Sequence, residues 1–123
     1  MDLKKSIIAV DDSKIVLQTL EKLLGDNYDF QGFSKAERAL SYIEMFTPAL
    51  FILDIDMPEM NGYELMKTIR ENNELRSIPI IFLTSNNEKD DVIKAVAHGV
   101  DDYVVKPVDK EILISKIEAL LLR

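Results

Sequence analysis

Acidic side chains stand at two places in this sequence where an apolar run ends. The stretch "IIAVDD" ends in Asp11 and Asp12, and the stretch "LFILDID" ends in Asp54 and Asp56. Carboxylates gathered at one place repel each other, which raises at least one pKa or destabilises the fold. A hard divalent cation such as Mg²⁺ would relieve this repulsion, because it prefers carboxylate, water and phosphate oxygens. The acids therefore predict a magnesium site if the fold brings them together.

A hydroxyl and an ammonium group follow two further apolar runs. "IPIIFL" precedes Thr84, and "YVV" precedes Lys106. An ammonium group suits a phosphate oxygen, and a hydroxyl can donate a hydrogen bond to one. Acids, metal, ammonium and hydroxyl together suit phosphoryl transfer, which depends on positioning and charge neutralisation. In such a site Asp54 could accept the phosphoryl group itself and form an aspartyl phosphate.

Each of these residues also has an ordinary structural interpretation when it is taken alone. Asp11 and Asp12 could cap a helix, and Asp54 could be a turn residue. Thr84 could be a helix cap, and Lys106, held extended by the proline that follows it, would usually be a solvated lysine. The chemical interpretation is favoured because all of these signals fall at the carboxyl ends of successive predicted strands.

The apolar runs predict the strands of a parallel sheet, since runs that are apolar at every position are typical of strands covered on both faces. These strands span 7–10, 50–53, 78–83 and 103–105, and an alternating segment at 28–33 suits an edge strand. Helical spacing of apolar residues lies over 13–24, 34–45, 62–71, 87–98 and 109–122. This alternation predicts an α/β fold with helices on both faces of the sheet, and a ligand site at the carboxyl ends of its strands.

Two helix ends carry local signals. Gly25 is a plausible C-cap for the first predicted helix. Ser34 and Glu37 have the spacing of a capping box, which would open the second helix.

Composition and charge narrow the class of protein. A chain of 123 residues, 47% apolar and 30% charged, is ordinary for a globular protein, and we expect one domain over residues 1–123. The net charge of −7 argues against direct binding to nucleic acid or to anionic membranes. The chain has no cysteine and no apolar stretch long enough for a membrane span. Because the N-terminus does not resemble a signal peptide, we expect a cytoplasmic location.

Four motifs resemble the receiver domain of two-component response regulators, in particular the chemotaxis-regulator type. They are "VDDS" (10–13), "LDIDMPEMNGYEL" (53–65), "IIFLTS" (80–85) and "GVDDYVVKP" (99–107). Their order and spacing match over essentially the whole chain. The resemblance implies a flavodoxin-like (βα)5 fold, with five parallel strands in the order 2-1-3-4-5.

The resemblance implies a role for each acid. Asp54 would take a phosphoryl group from the phosphohistidine of a sensor histidine kinase or a phosphotransfer protein. Mg²⁺ would be held by Asp11, Asp12, Asp54 and the backbone carbonyl of Asp56.

The resemblance also implies a switch. Lys106 and the Thr84 hydroxyl would contact the phosphoryl group, and the bond between Lys106 and Pro107 would be cis. Tyr103 would pivot inward as Thr84 moves, and this motion would remodel the switch face, formed by the fourth predicted helix (87–98), the fifth strand and the last helix (α4-β5-α5 in the family). A downstream effector would bind there. The modification would bias two conformations that already exist.

Two other classes of function stay open at this point. A haloacid-dehalogenase-type phosphohydrolase also forms an aspartyl phosphate on a D-x-D motif, which "DID" (54–56) satisfies, although that family carries the motif on its first strand. A pseudo-receiver would be a binding module that is never phosphorylated, although all the site residues are present here. We expect a phosphoacceptor that catalyses only its own phosphorylation and dephosphorylation, and not an enzyme. Both a monomer and a phosphorylation-dependent dimer are compatible with the sequence.

Overall fold

The strands form one parallel sheet. In the computed structural model, which describes residues 3–85 and 99–123, they are β1 (Ser6–Val10), β2 (Asp29–Phe33), β3 (Leu50–Asp54), β4 (Ile80–Thr84) and β5 (Asp102–Val105). Their order across the sheet is β2-β1-β3-β4-β5, and every neighbouring pair is parallel. The predicted strand order and the predicted edge position of the second strand are both confirmed.

Helices connect the strands. They are α1 (Lys14–Leu24), α2 (Ala36–Ile43), α3 (Gly62–Glu71) and the C-terminal helix (Lys110–Leu121). Four of the predicted helices are thereby confirmed, while the one predicted over 87–98 lies outside the described residues. Within residues 3–85 and 99–123, no helix is both long and apolar enough to cross a lipid bilayer.

Side-chain caps explain where three helices begin. Ser13 and Asp109 each accept a hydrogen bond from the backbone N–H three residues later, at 3.3 Å and 3.0 Å. Asn61 and Glu64 form a reciprocal capping box at the start of α3. These bonds satisfy N–H groups that the first turn of a helix leaves without a partner. Gly25 lies at the C-cap of α1 as predicted, in a right-handed conformation.

The capping box predicted for Ser34 and Glu37 is wrong. The N-cap of α2 is Lys35, whose backbone is extended and whose side chain makes no cap hydrogen bond. Ser34 therefore stands one residue before the cap, and Glu37 is the second helical residue where a capping box needs the third.

The helices cover both faces of the sheet, as predicted. On one face, α1 and the C-terminal helix share a buried apolar cluster with the sheet, to which they contribute Leu20, Leu24, Leu113, Ile117 and Leu120. On the other face, α2 and α3 contribute Ala39, Ile43, Leu65, Met66 and Ile69. Neighbouring residues of a strand alternate between the two clusters, which is why the central strands are apolar at every position.

The strand register brings polar residues to the carboxyl edge of the sheet. Val10 of β1 pairs with Leu53 of β3, so the acids that follow them are neighbours. Thr84 pairs with Val105, the residue before Lys106. Side chains far apart in the sequence thus meet at one edge.

At the opposite edge of the sheet, where the strands begin, Asp101 joins several elements in what we call the Asp101 node. Its Oδ2 accepts hydrogen bonds from the backbone N–H of Ile80 at 2.8 Å and from Arg70 at 3.1 Å, and its Oδ1 accepts one from Arg123. Arg70 also donates to the carbonyl of Ile78 at 2.6 Å. The node ties the end of α3 and the loop after it to the starts of β4 and β5.

Candidate functional site

Three carboxylates meet at the carboxyl edge of the sheet. One oxygen from each of Asp11, Asp12 and Asp54 lies within 4.8 Å of the other two. Asp11 is fully buried and Asp54 is only 2% exposed, whereas Asp12 is exposed to solvent. We call these three residues the acid cluster. The structure thus gathers three of the four acids that the sequence singled out, two of them in an environment that a carboxylate enters only when it is compensated.

The ammonium group of Lys106 lies between the two buried acids. Its Nζ is 2.9 Å from Asp11 Oδ2 and 3.3 Å from Asp54 Oδ1. Since the side chain of Lys106 is largely buried, these contacts are less screened by solvent than a surface ion pair would be. Among residues 3–85 and 99–123, Lys106 is the one cation that pairs with the acid cluster, so the three carboxylates outnumber it whenever all of them are ionised.

Burial and the neighbouring charges shift the pKa values of both Asp54 and Lys106. Burial and then the charge of Asp11 raise the pKa of Asp54 to about 7, against the opposing effects of Lys106 and the Asp56 N–H. Burial by itself would lower the pKa of Lys106, but its ion pairs with Asp11 and Asp54 outweigh burial and raise it. Lys106 therefore stays charged at neutral pH, and Asp54 is the member of the pair whose charge is costly.

Backbone N–H groups orient the two buried carboxylates. The N–H of Ser13 donates to Asp11 Oδ1 at 2.9 Å, and the N–H of Asp56 donates to Asp54 Oδ1 at 3.3 Å. Each donor lies two residues after its acid, at the start of the loop that leaves the strand. Asp56 is itself exposed, and its carbonyl as a metal ligand stays a prediction.

Gly62 lets the loop after Asp54 fold back under the acid. A Cβ at this position would lie 2.5 Å from the Asp54 carbonyl oxygen and 2.9 Å from the Ile55 Cα. Both distances are shorter than a Cβ tolerates, so this backbone position requires glycine. The Gly62 N–H also donates to the Ile55 carbonyl at 3.0 Å. No role was predicted for this glycine from the sequence, although its place at the start of a helix, directly after Asn61, was a usable signal.

Thr84 and Tyr103 lie on the same face of the sheet. Tyr103 pairs with Phe82, and Thr84 follows two residues after Phe82, so the alternation of side chains places all three on one face. Thr84 is buried, and its carbonyl accepts a hydrogen bond from the Lys106 N–H at 2.7 Å. The bond between Lys106 and Pro107 is cis, as the resemblance implied.

A cavity of about 410 Å³ opens beside Asp12. It is lined by Asp12, Lys14 and residues of the segments 34–37 and 57–60. The second segment belongs to the loop after Asp54, in which Glu59 has a φ of 67°. Neither the cavity nor this left-handed residue was predicted from the sequence.

Comparison with known proteins decides the family. The family model of the response regulator receiver domain matches residues 7–118. The chain belongs to this family. Receivers are signalling domains of two-component systems and not enzymes in the usual sense, and response regulators are phosphorylated by histidine kinases and act on output domains. The family uses Mg²⁺ at an acidic pocket.

Curated relatives of this receiver fall into two length classes. It is 34% identical over 123 residues to the chemotaxis protein CheY1 of Helicobacter pylori, covering 94% of this chain and 95% of that one. It is 31% identical over 119 residues to the sensory transduction protein BceR of Halalkalibacterium halodurans, covering 97% of this chain and 50% of that one. The receiver thus spans about half the length of some of its relatives.

Solved structures share its fold. A two-component response regulator from Clostridium difficile superposes with a TM-score of 0.88 at 30% identity, covering 98% of each chain. The chemotaxis protein CheY4 of Vibrio cholerae superposes with a TM-score of 0.90 at 26% identity, covering 96% of this chain and 99% of that one. The predicted resemblance is confirmed, and the haloacid-dehalogenase interpretation is set aside.

Proposed function

We propose that this receiver accepts a phosphoryl group on Asp54, with Mg²⁺ bound, and passes the signal to a downstream effector through the switch face. The observation that carries the proposal is the Lys106 ammonium group, held within 3.3 Å of both Asp11 and Asp54 at the acid cluster. A fixed cation beside the buried acid is placed to compensate the charge of an arriving phosphoryl oxygen.

The proposal extends to the whole chain and its partners. Residues 1–123 form one receiver domain, since both apolar clusters share a single sheet. The phosphoryl donor is a sensor histidine kinase or a phosphotransfer protein. Because such kinases draw on ATP, we place the receiver in the cytoplasm. It acts on its own aspartate alone and has no separate substrate.

The residues present fit a magnesium ion. Three carboxylate oxygens within 4.8 Å of one another are the kind of donors that Mg²⁺ prefers, and in the described part of the chain Lys106 alone pairs with them. Asp11, Asp12 and Asp54 would hold the ion, together with the Asp56 carbonyl. When bound, the ion supplies positive charge that offsets the repulsion between the acids and the phosphoryl group.

The chemical step transfers one phosphoryl group between two side chains. A carboxylate oxygen of Asp54 attacks phosphorus, the new O–P bond forms, and the P–N bond to the donor histidine breaks. The electron pair of that bond stays on the imidazole nitrogen, which takes a proton from water. Lys106 moves from pairing with carboxylates alone to pairing with a phosphoryl oxygen as well, so its charge is not left unpaired.

Thr84 and Tyr103 would convert the modification into a change of shape. Thr84 ends β4, the strand beside β3, where its hydroxyl can reach a group attached to Asp54. Tyr103 lies on the same face of the sheet, two positions back along the neighbouring strand. Movement of Thr84 toward the phosphoryl group would open space into which the Tyr103 ring turns. The switch cannot exceed the difference in free energy with which the phosphoryl group contacts the two conformations.

Intact mass after incubation with acetyl phosphate and Mg²⁺ tests the acceptor. The wild type should gain about 80 Da, the mass of one phosphoryl group replacing a proton, and should gain nothing in EDTA. Asp54→Asn should abolish the gain. Asp26→Asn is the matched control, because its exposed side chain lies in the turn between α1 and β2 and it should label like the wild type.

Two outcomes would contradict the proposal. Labelling of Asp54→Asn at the wild-type level would move the acceptor to another residue. A wild type that takes no label from acetyl phosphate or from a phosphorylated histidine kinase would make the chain a pseudo-receiver.

A further inference from the structure

Lys116 of the C-terminal helix contacts Tyr103 in two ways. Its Nζ donates a hydrogen bond to the Tyr103 carbonyl at 2.7 Å and lies 4.9 Å from the centroid of the Tyr103 ring. The same Nζ donates to Asp102 Oδ1 at 2.8 Å, which fixes the ammonium group from a third direction. A cation at this distance from an aromatic face is attracted by the ring.

These contacts show where the Tyr103 ring lies. Val104 belongs to the apolar cluster on the face covered by the C-terminal helix, and Tyr103 packs against the cluster on the opposite face. β5 is an edge strand of the sheet. The Tyr103 side chain leaves the sheet on the face of α2 and α3, whereas Lys116 comes from the helix on the opposite face. The Tyr103 ring and the Lys116 ammonium group can therefore meet only around the outer edge of β5. The ring therefore lies at this edge, beside Lys116.

This position is away from Thr84. Thr84 is on β4, toward the centre of the sheet, while Lys116 holds the ring at the outer edge of β5. A ring that turns inward toward Thr84 must therefore leave the ammonium group. In the switch proposed above, the Lys116 contact with the ring and the inward position are therefore alternatives.

We propose that Lys116 is a positioning residue that holds the Tyr103 ring in the outward position of the unphosphorylated, inactive protein. This inference rests on the proposed function, because it gives that switch a restraint that phosphorylation must overcome. Loss of the ammonium group removes the attraction to the ring and loosens the start of β5, so the inward position should gain population in the unphosphorylated protein. We expect the ratio of inward to outward ring to rise about two- to fivefold.

Fluorine NMR of the protein labelled with 3-fluorotyrosine tests this directly. The chain has four tyrosines, and the Tyr103 resonance is assigned by its absence in Tyr103→Phe. Lys116→Met keeps most of the side-chain length without the charge, and Lys116→Arg keeps a cation. Lys110→Met is the matched control, since Lys110 is an exposed lysine on the same helix. All spectra are first recorded without phosphoryl donor and without Mg²⁺.

The expected result is a shift of the Tyr103 resonance in Lys116→Met, with the other three resonances in place. Lys116→Arg and Lys110→Met should both match the wild type. An unshifted Tyr103 resonance in Lys116→Met would overturn the inference, and so would an equal shift in Lys110→Met. A loss of dispersion in all four resonances would mean that Lys116 only supports the fold, which also overturns it.

A second arm separates this inference from the proposed function. Acetyl phosphate and Mg²⁺ are added to the wild type, and the Tyr103 resonance should move in the same direction as in Lys116→Met. If phosphoryl donor leaves the wild-type resonance in place while Lys116→Met shifts it, the restraint exists and the proposed switch fails. If the donor moves it and Lys116→Met does not, the switch stands and the restraint is refuted.

Discussion

At the scale of single residues, the ionisation of Asp54 links the chemistry of the site to the stability of the fold. A nucleophilic carboxylate must be charged to attack, but burial beside Asp11 raises its pKa to about 7 from a reference value of 3.8. The folded protein therefore binds more protons than the unfolded chain between these pH values. The contribution of this group to stability is greatest below about pH 4 and is lost as the pH rises toward 7.

This sign gives a prediction for the metal-free protein. Asp54→Asn removes the costly charge, so it should increase the free energy of unfolding, and the increase should be larger at pH 8 than at pH 5 by about 1–3 kcal/mol. Urea unfolding in EDTA at the two pH values measures it. Asp56→Asn, which alters an exposed acid, should show the same difference from wild type at both values. A stabilisation by Asp54→Asn that does not change with pH would contradict the assignment.

Mg²⁺ should stabilise the wild type more at pH 8 than at pH 5.

At the scale of elements, the loop between β3 and α3 depends on the close approach of Gly62 to the Asp54 carbonyl. Gly62→Ala would force the backbone at position 62, at Asp54, or at both to move. We expect the free energy of unfolding to fall by about 2–4 kcal/mol and phosphorylation to become slower. Gly32→Ala is the control, because its Cβ would meet side chains of Leu17 and Phe30 that can shift, at 3.1 and 3.3 Å. Urea unfolding and the initial rate of acetyl phosphate labelling report both effects. Equal stability of the two variants would show that the close approach of Gly62 to the Asp54 carbonyl does not determine the stability of this loop.

The caps give an independent prediction about the helices. Asn61→Ala removes the side-chain oxygen that accepts from the Glu64 N–H, which is one of the two bonds of the capping box, and should cost about 1–2 kcal/mol. Ser34→Ala should cost less than about 0.5 kcal/mol because Ser34 caps nothing. Thermal unfolding by circular dichroism, with a shift of a few degrees per kcal/mol, measures both. A Ser34→Ala variant as unstable as Asn61→Ala would restore the capping box that the structure does not show.

The difference between these two caps shows where sequence reasoning about elements fails. Ser34 and Glu37 have the right types and spacing, but a cap also requires that the backbone turn into the helix at the serine. Here the turn comes at Lys35, a residue with no cap-forming side chain, and packing of Ala39 and Ile43 against the sheet sets the start of α2. Local chemistry was outweighed by tertiary contacts, which a single sequence does not display.

At the scale of the whole molecule, the two edges of the sheet do different work. Among the residues that the structure describes, the carboxyl edge gathers three acids with one lysine, Lys106. The opposite edge holds the Asp101 node, in which two arginines and a backbone N–H surround one acid. The first arrangement costs stability, and the second adds to it. Regions that carry function are commonly the costly ones.

The Asp101 node should therefore be a main source of stability. Asp101→Ala would leave the Arg70 guanidinium and the Ile80 N–H without their acceptor, and we expect a loss of about 2–4 kcal/mol. Arg123→Ala is the control within the same node, since its side chain is 54% exposed and should contribute less than about 1 kcal/mol. Denaturant unfolding at low and high salt distinguishes them. Similar losses of stability in the two variants would mean that the contact with Arg123 accounts for most of the stabilisation by the Asp101 node.

Topology was the most predictable level, because continuous apolar runs imply strands covered on both faces and a parallel sheet places all their carboxyl ends together. Asp11, Asp54, Thr84 and Lys106 were therefore predicted to lie at one edge from their positions in the sequence alone. The contact between Lys116 and Tyr103 was beyond the reach of such a prediction, since it depends on the path of a side chain around the edge of β5. So was the size of the shift in the pKa of Asp54, which depends first on the burial of its side chain and then on the charge of Asp11.

The close approach of position 62 to Asp54, the proposed phosphoacceptor, also limits how this protein could be re-engineered. A library meant to change which donors it accepts should leave this glycine untouched and randomise 57–60, the neighbouring stretch that borders the open cavity beside Asp12. Diversity would then fall where there is room for new side chains, while Asp54 kept its orientation.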